Sequence, residues 1–275
     1  MRAGGVMREG RFGRMLLKGA AAVALGYILL PLFFVFWLSV FKQEIPSFPP
    51  DGYSLRWFFA IADYREFASG FLLSLQVGVI ATFCGLLLGV PAALVIVRVP
   101  LKGRSVLNSL LLAPMVVPGV VLGTSLYVFQ IETEIATGLP VMGSFAGLVI
   151  AHTLIVVPWT VRLVTANLVG LDRTIEEAAY NLGAGPVTTF FKITLPMIRP
   201  GLVAATLFGF VASFGNLEMS LFLVGPGRTT LPIAILQYLE WKIDPTVAAA
   251  SVLQIALIAV ALLVTDHYVK LSRVV

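Results

Sequence analysis

Six stretches of this chain are long and apolar enough to cross a membrane, and they constrain the fold more than any other feature. A helix needs about 20 apolar residues to cross the hydrocarbon core. Inside lipid the backbone polar groups must be satisfied within the segment, which requires helices. The six stretches cover residues 20–40, 71–97, 107–129, 146–168, 202–224 and 247–265. The sequence therefore predicts an all-α integral membrane protein with six transmembrane helices.

The charge content of the chain agrees with a membrane-embedded fold. Only 12% of the residues are charged and 59% are hydrophobic, whereas about 25% of residues are charged in an average soluble domain. Because so few charges cannot cover a water-exposed surface, we expect a single transmembrane domain over residues 1–275. Prolines inside the apolar stretches predict local bends, at Pro31, Pro91, Pro114, Pro118 and Pro158.

The distribution of Lys and Arg predicts the orientation of the chain. Cytoplasmic segments of membrane proteins carry the excess of these residues. With both termini inside, 14 of the 19 Lys and Arg residues fall in cytoplasmic segments and 5 in outer loops. The first apolar stretch is too long for a signal peptide and lacks a small-residue cleavage site, so we expect it to remain as the first span. Both termini and residues 170–200 are therefore predicted to be cytoplasmic.

A polar segment separates the fourth and fifth apolar stretches. Thr174 and Glu177 are spaced as in a capping box, in which each side chain satisfies a free backbone amide at a helix start. We expect a short helix over residues 175–182 that ends at Gly183, because glycine tolerates the left-handed conformation there. Pro186 suits the first turn of a second short helix. Such an element can contact a soluble partner inside the cell or pack on its own bundle.

Within this segment, Glu-Ala-Ala is followed at fixed spacings by Gly, Ile and Leu-Pro. The residues in question are Glu177, Ala178, Ala179, Gly183, Ile193, Leu195 and Pro196. The pattern resembles the EAA signature of permease subunits in binding-protein-dependent ABC importers, with every spacing kept. The six-span arrangement extends the resemblance over most of the chain. It implies the type I ABC importer permease fold, in which residues 170–200 form the cytoplasmic coupling loop.

The resemblance implies a larger assembly in the bacterial cytoplasmic (inner) membrane. Two permease subunits would line one pathway, and two ATP-binding subunits would each receive one coupling helix. An extracytoplasmic substrate-binding protein would deliver the cargo, and a second, different permease would complete a heterodimer. The residues implied in ATPase coupling are Glu177, Ala178, Ala179, Tyr180, Gly183, Ile193, Leu195 and Pro196.

The chain lacks the sequence patterns that catalysis would need. A P-loop requires Gly-Lys followed by Ser or Thr, and none of the six lysines follows a glycine. We therefore expect ATP and Mg²⁺ to be used by the partner ATPase, and no cofactor or metal to be bound by this chain. No nucleophile elbow, zinc-protease pattern or basic soluble face is present. The sequence predicts a transport subunit, not an enzyme or a nucleic-acid-binding protein.

Three polar residues in the fifth stretch are candidates for the translocation pathway. Glu218 is a carboxylate in a membrane span, and such groups usually face a cavity or a partner charge. Asn216 and Ser213 lie close to it in the sequence. Glu218 either lines the pathway and favours a cationic cargo, or forms a structural pair, for example with Arg228. His152 in the fourth stretch is more typical of a satisfied packing residue than of a ligand.

The cargo is the least constrained part of this interpretation. Residues 48–57 and 244–249 resemble the second permease of the spermidine/putrescine group, which implies a polyamine or a related amine. In polyamine members we would expect more acidic character at the positions where this chain has Gly215 and Asn216. The alternatives are an importer of the same class for an opine, aminoethylphosphonate or ferric iron, and an ion-coupled secondary transporter.

Overall fold

The computed structural model describes residues 11–269 of the chain, and the side chains of residues 13–266. These residues form thirteen α-helices and no strand longer than an isolated bridge, which confirms the predicted all-α fold class. The helices are α1 Arg11–Leu38, α2 Arg56–Asp63, α3 Arg65–Arg98, α4 Arg104–Leu112, α5 Gly119–Thr137, α6 Phe145–Val169, α7 Thr174–Asn181, α8 Pro186–Thr189, α9 Leu195–Met197, α10 Arg199–Phe214, α11 Ser220–Leu223, α12 Leu231–Trp241 and α13 Thr246–Val269. Arg2, Arg8, Lys270 and Arg273, which entered the orientation argument, lie outside the described residues.

Four helices are long and apolar enough to span a membrane. They cover Gly13–Leu38, Arg65–Arg98, Phe145–Val169 and Thr246–Asp266. Each contains most or all of one apolar stretch identified in the sequence. Two bent helix pairs pass the same test jointly, so the described chain has up to six spans if each pair forms one.

The third apolar stretch is not the single helix over residues 107–129 that its length predicts. After α4, residues Ala113–Met115 form a 3₁₀ turn, and α5 begins at Gly119 at an angle of 100° to the preceding segment. Pro114 and Pro118 have no amide hydrogen to donate to a helical ladder, so the bend predicted at these prolines is a complete break. By contrast, α1, α3 and α6 continue through Pro31, Pro91 and Pro158.

The prediction of a continuous fifth helix over residues 202–224 is wrong. Helix α10 ends at Phe214, and α11 begins only at Ser220. The break starts at Gly215 and Asn216, two residues that favour turns. The Asn216 side chain accepts a hydrogen bond from the Met219 amide at 3.1 Å through Oδ1. This side chain therefore satisfies a backbone donor that the interrupted helix leaves free.

The described chain divides into two compact units, of which the first contains residues 11–63 and 242–254. Its α1 helix carries Arg11, Arg14 and Lys18 in its first turns and is apolar beyond them. None of the residues 13–38 is buried within the structure. After α1 the chain turns back on itself, with the Lys42 amide donating to the Gly52 carbonyl at 2.9 Å. Trp57 of α2 anchors this turn by donating from Nε1 to the Phe41 carbonyl at 2.6 Å.

The second unit contains residues 64–241 and 255–269, and its core is formed by α3, α6 and α10. Val156 of α6 fits against Gly85 of α3 and Gly209 of α10, where any added Cβ atom would collide with it. Gly89 of α3 faces Thr160 in the same way. Small residues let membrane helices approach closely and gain dispersion contacts, so these glycines set the close packing of the three helices.

Candidate coupling element and translocation pathway

Residues 172–197 connect α6 to α10, and we call this segment the coupling element. Its first helix, α7, begins at Thr174, close to the predicted start. The predicted capping box is wrong, because no Thr174 side-chain cap on the Glu177 amide is formed. Asp172 takes the capping role instead, since its Oδ1 accepts a hydrogen bond from the Thr174 amide at 2.9 Å. Hydrogen bonds from the Thr174 backbone and side chain lower the pKa of Asp172 because they stabilise the charged form.

The end of α7 matches the sequence prediction. Gly183 has a φ of +86°, the left-handed conformation that glycine adopts without strain. The Gly183 amide donates to the Tyr180 carbonyl at 2.9 Å, and the Ala184 amide to the Ala179 carbonyl at 3.0 Å. This pair of bonds is the Schellman arrangement of a helix end. Pro186 then occupies the first position of α8 as expected, and Phe190–Thr194 form a π-helical turn before α9.

One side of the coupling element faces its own bundle. Ala179 is buried, so this predicted contact residue packs inside the fold. Glu176, which the sequence reasoning missed, binds Arg98 of α3 and accepts a hydrogen bond from Thr194. Arg98 is 78 residues away in the chain, so no local pattern indicated this contact.

The other side of the coupling element exposes large apolar side chains. Leu182 is 89% exposed, Val187 68% and Phe191 60%. Glu177, Ala178, Tyr180, Gly183 and Pro196 are also exposed, whereas Ile193 and Leu195 are partly buried. The predicted coupling residues thus divide into an outward group and an inward group, and the outward group lies among exposed apolar side chains. Such a surface is suited to contact another protein.

Two of the three predicted pathway residues belong to a buried hydrogen-bond network. Ser213 lies 2.8 Å from Nδ1 of His152, and Ser220 lies 3.0 Å from its Nε2. Because the Ser220 hydroxyl donates to the Asn216 carbonyl at 2.8 Å, it accepts from Nε2–H, and Ser213 donates to Nδ1. His152 is therefore a fully satisfied packing residue, as the sequence suggested, and it fastens α6 to the break between α10 and α11.

Glu218, the third candidate, lies within this break and is exposed. A Cβ atom added at Gly119 would meet Glu218 Cβ at 2.9 Å, so the start of α5 lies against this residue. The suggested pair with Arg228 is not formed, since Arg228 donates from Nη1 to the Gly143 carbonyl at 2.9 Å. The start of α5 and the break before α11 thus lie next to each other at the exposed carboxylate of Glu218.

The all-helical fold, with several apolar helices and a coupling element between two of them, agrees with the type I ABC importer permease fold. The chain belongs to the family of binding-protein-dependent transport system inner membrane components, whose family model matches residues 85–274. Membership of this family excludes the alternative of an ion-coupled secondary transporter and shows that the chain is a transport subunit.

Similar proteins support this assignment. The chain is 33% identical over 203 residues to the putrescine transport system permease protein PotI of Escherichia coli (strain K12), covering 74% of this chain and 72% of that protein. It is 32% identical over 213 residues to the molybdenum transport system permease protein ModB of the same strain, covering 74% and 93%. A crystal structure of a bacterial ABC transporter involved in the import of the acidic polysaccharide alginate shares the fold, with a TM-score of 0.71, 14% identity, and 97% and 99% coverage.

Proposed function

We propose that this chain is one of two permease subunits of an ATP-driven importer and that its coupling element docks on a partner ATPase. The observation that carries this proposal is the exposure of Leu182, Val187 and Phe191 on the connection between α6 and α10. Exposed apolar side chains grouped in this way are typical of a protein interface. The partner would bind ATP and Mg²⁺, and closure of two such ATPases would switch the pathway between outward and inward openings.

The position of each coupling residue suggests its part in this contact. Glu177, Ala178, Tyr180 and Gly183 are on the exposed side of the element, where they would touch the ATPase. Ala179, Ile193 and Leu195 are turned towards the bundle and would support the element from within, while Pro196 lies exposed near its end. The Lys and Arg distribution supports a cytoplasmic location for the element and for both termini.

Co-purification tests the docking proposal. A tagged chain, expressed with its neighbouring transport genes, is expected to retain an ATPase, a second and different permease, and a substrate-binding protein. Leu182→Asp places a charge in the proposed interface and should abolish ATPase retention. Leu139→Asp changes another exposed leucine, in the loop after α5, and should leave retention intact. Equal retention by both variants at equal membrane levels would contradict the docking surface.

For the cargo, we propose a small cationic amine of the polyamine type, with Glu218 in the translocation pathway. Glu218 is an exposed carboxylate in the break between α10 and α11, within the fifth apolar stretch of the sequence. Acidic residues in such positions attract cations and are costly to retain without a role. The similarity to PotI, described as a putrescine permease, supports an amine, whereas the similarity to ModB, described as a molybdenum permease, favours a different cargo.

Uptake of radiolabelled putrescine by proteoliposomes containing the complete transporter tests this cargo. We expect Glu218→Gln to reduce putrescine uptake by about tenfold, because a lost charge interaction of about 1.4 kcal/mol changes a binding or rate constant by that factor. Glu240→Gln serves as the control, since Glu240 is an exposed carboxylate on α12. Absence of putrescine uptake by the wild-type transporter, or unchanged uptake with Glu218→Gln, would count against the amine proposal.

A further inference from the structure

Three polar side chains from separate elements meet where the coupling element contacts α3. Arg98 is the last residue of α3, Glu176 lies in the first turn of α7, and Thr194 ends the π-helical turn. Arg98 Nη2 and Thr194 Oγ1 both donate to Glu176 Oε1, at 3.3 Å and 2.8 Å. Arg98 Nε lies 3.1 Å from Oε2, an ion-pair distance without the alignment of a hydrogen bond. We call these three residues the Glu176 cluster.

The Glu176 cluster is partly shielded from solvent. The Arg98 and Glu176 side chains are 18% and 13% exposed. The other ion pair of α7, between Arg173 and Glu177, has a 3.6 Å separation and side chains that are 62% and 61% exposed. Solvent screens an exposed pair and makes it weak, whereas separating a buried pair leaves uncompensated charges in the protein. The Glu176 cluster therefore resists separation of α7 from α3 much more than the exposed pair stabilises α7.

Apolar packing around the cluster is incomplete. A cavity of about 310 Å³ lies at this junction. Its lining includes Leu94 and Arg98 of α3, Glu176 and Tyr180 of α7, and Phe190 and Thr194 of the π-helical turn. The contact of Glu176 with Arg98 is a direct polar link between α7 and α3 beside this cavity.

We propose that the Glu176 cluster transmits movement of the coupling element to α3, with Glu176 as the positioning residue that receives both donors. This inference rests on the proposed docking of the coupling element on an ATPase. When the ATPase moves α7, the partly buried ion pair and the Thr194 hydrogen bond would draw the end of α3 with it. Because α3 is a membrane-spanning helix in the core with α6 and α10, displacement of its end would be passed into the bundle.

Cys84 provides a reporter for this movement that does not depend on the cargo. It is the chain's one cysteine, lies on α3 and is partly exposed. In the assembled transporter, with partner cysteines replaced, we expect the rate of Cys84 reaction with N-ethylmaleimide to change on addition of MgATP. Glu176→Gln and Arg98→Met should abolish this change while ATPase retention and basal ATP hydrolysis persist. Arg104→Met, which alters an exposed arginine at the start of α4, should preserve the change.

The double variant Arg98→Met with Glu176→Met distinguishes two explanations for a lost response in the single variants. The response is lost either because the ion pair transmits movement or because one charge is left unpaired. Apolar replacement of both partners of a buried ion pair often preserves stability, so this variant is expected to assemble and still lack the MgATP-dependent change. Recovery of the change in the double variant would overturn the proposal, as would a wild-type Cys84 rate that MgATP does not alter. If a single variant fails to assemble, the test uses Thr194→Val and the double variant instead. Thr194→Val removes one donor to Glu176 and should also weaken the MgATP-dependent change.

The outcomes distinguish this inference from the docking proposal. Failure of the wild-type chain to retain an ATPase would remove the docking proposal and the inference together. Loss of ATPase retention in Glu176→Gln alone would show that the cluster serves docking and would overturn transmission. Normal retention with a lost Cys84 response supports transmission.

Discussion

Gly183 and Gly185 lie two residues apart in the coupling element but differ in backbone conformation. Gly183 has a φ of +86°, and Gly185 has a φ of −72°. Neither would bring an added Cβ atom within 4 Å of another group. Any difference between alanine substitutions at the two sites must therefore come from the backbone, which makes Gly185 a matched control for Gly183.

We predict that Gly183→Ala weakens the end of α7 by about 1 kcal/mol, because a side chain in the left-handed region is strained. In hydrogen exchange of the assembled transporter, the last amides of α7 should exchange about fivefold faster, the factor that corresponds to this free energy. Gly185→Ala should leave exchange unchanged or slower, since alanine reduces the freedom of the unfolded chain. Equal effects of the two substitutions would contradict this account of the helix end.

The carboxylate of Asp172 makes the start of α7 sensitive to acid. Hydrogen bonds from the Thr174 backbone and side chain lower its pKa in the folded chain. A group whose folded pKa is lowered stabilises the fold above its unfolded pKa, about 3.9 for Asp, and this stabilisation is lost as the pH falls through the lowered value. The first turn of α7 should therefore loosen in that acidic range and keep its full protection at neutral pH.

Asp172→Asn isolates this contribution, because asparagine also accepts a hydrogen bond at a helix start but does not titrate. We expect wild type and Asp172→Asn to show similar exchange of the Thr174 amide at neutral pH. Below the pKa of Asp172, the wild-type amide should exchange faster than that of the variant. A ratio of the two rates that stays constant across the acidic range would show that Asp172 is not the titrating cap.

At the scale of elements, the break between α10 and α11 is fastened by a side chain from α6. His152 is bound by Ser213 and Ser220, the latter at the start of α11. His152→Leu would leave the buried Ser213 hydroxyl without its partner, whereas Ser220 would keep its hydrogen bond to the Asn216 carbonyl. A buried unsatisfied group costs about 1–3 kcal/mol. We predict a lower thermal unfolding midpoint for the transporter containing this variant, together with greater accessibility of the break at Glu218.

Thr153→Val is the control for the His152 prediction. Thr153 is adjacent in sequence and buried, but its hydroxyl donates only to the Val149 carbonyl of its own helix, at 2.7 Å. Removing the Thr153 hydroxyl therefore breaks no contact between helices, and the unfolding midpoint should change little. If both variants lowered the midpoint equally, the network across the break would have no special role.

How much of these elements the sequence could predict depends on how local their causes are. The four long helices follow from runs of apolar residues, and the end of α7 follows from Gly183 itself. The break at Gly215 and Asn216 was missed because apolar residues on both sides gave a run of sufficient length, although these two residues favour turns. The ion pair of Glu176 was missed because Arg98 is 78 residues away in the chain.

At the scale of the whole molecule, the family match covers only part of the chain that the structure describes. The matched residues 85–274 begin within α3, so α1, α2 and the first turns of α3 lie outside the match. Helix α1 is apolar and unburied within the described chain, and its surface therefore needs lipid or another subunit to cover it. The family match therefore covers the coupling element and the proposed pathway residues.

Orientation is the whole-molecule property on which the docking and pathway proposals both depend, and cysteine labelling tests it. Cys84→Ala removes the chain's one cysteine, after which Lys102→Cys and Leu139→Cys each add one at an exposed loop position. The excess of Lys and Arg in cytoplasmic segments predicts that a membrane-impermeant maleimide labels Leu139→Cys in intact cells. Lys102→Cys should be labelled only after permeabilisation, which also serves as the control for its reactivity. The reverse pattern would place the coupling element outside the cell, where no ATP-hydrolysing partner could reach it.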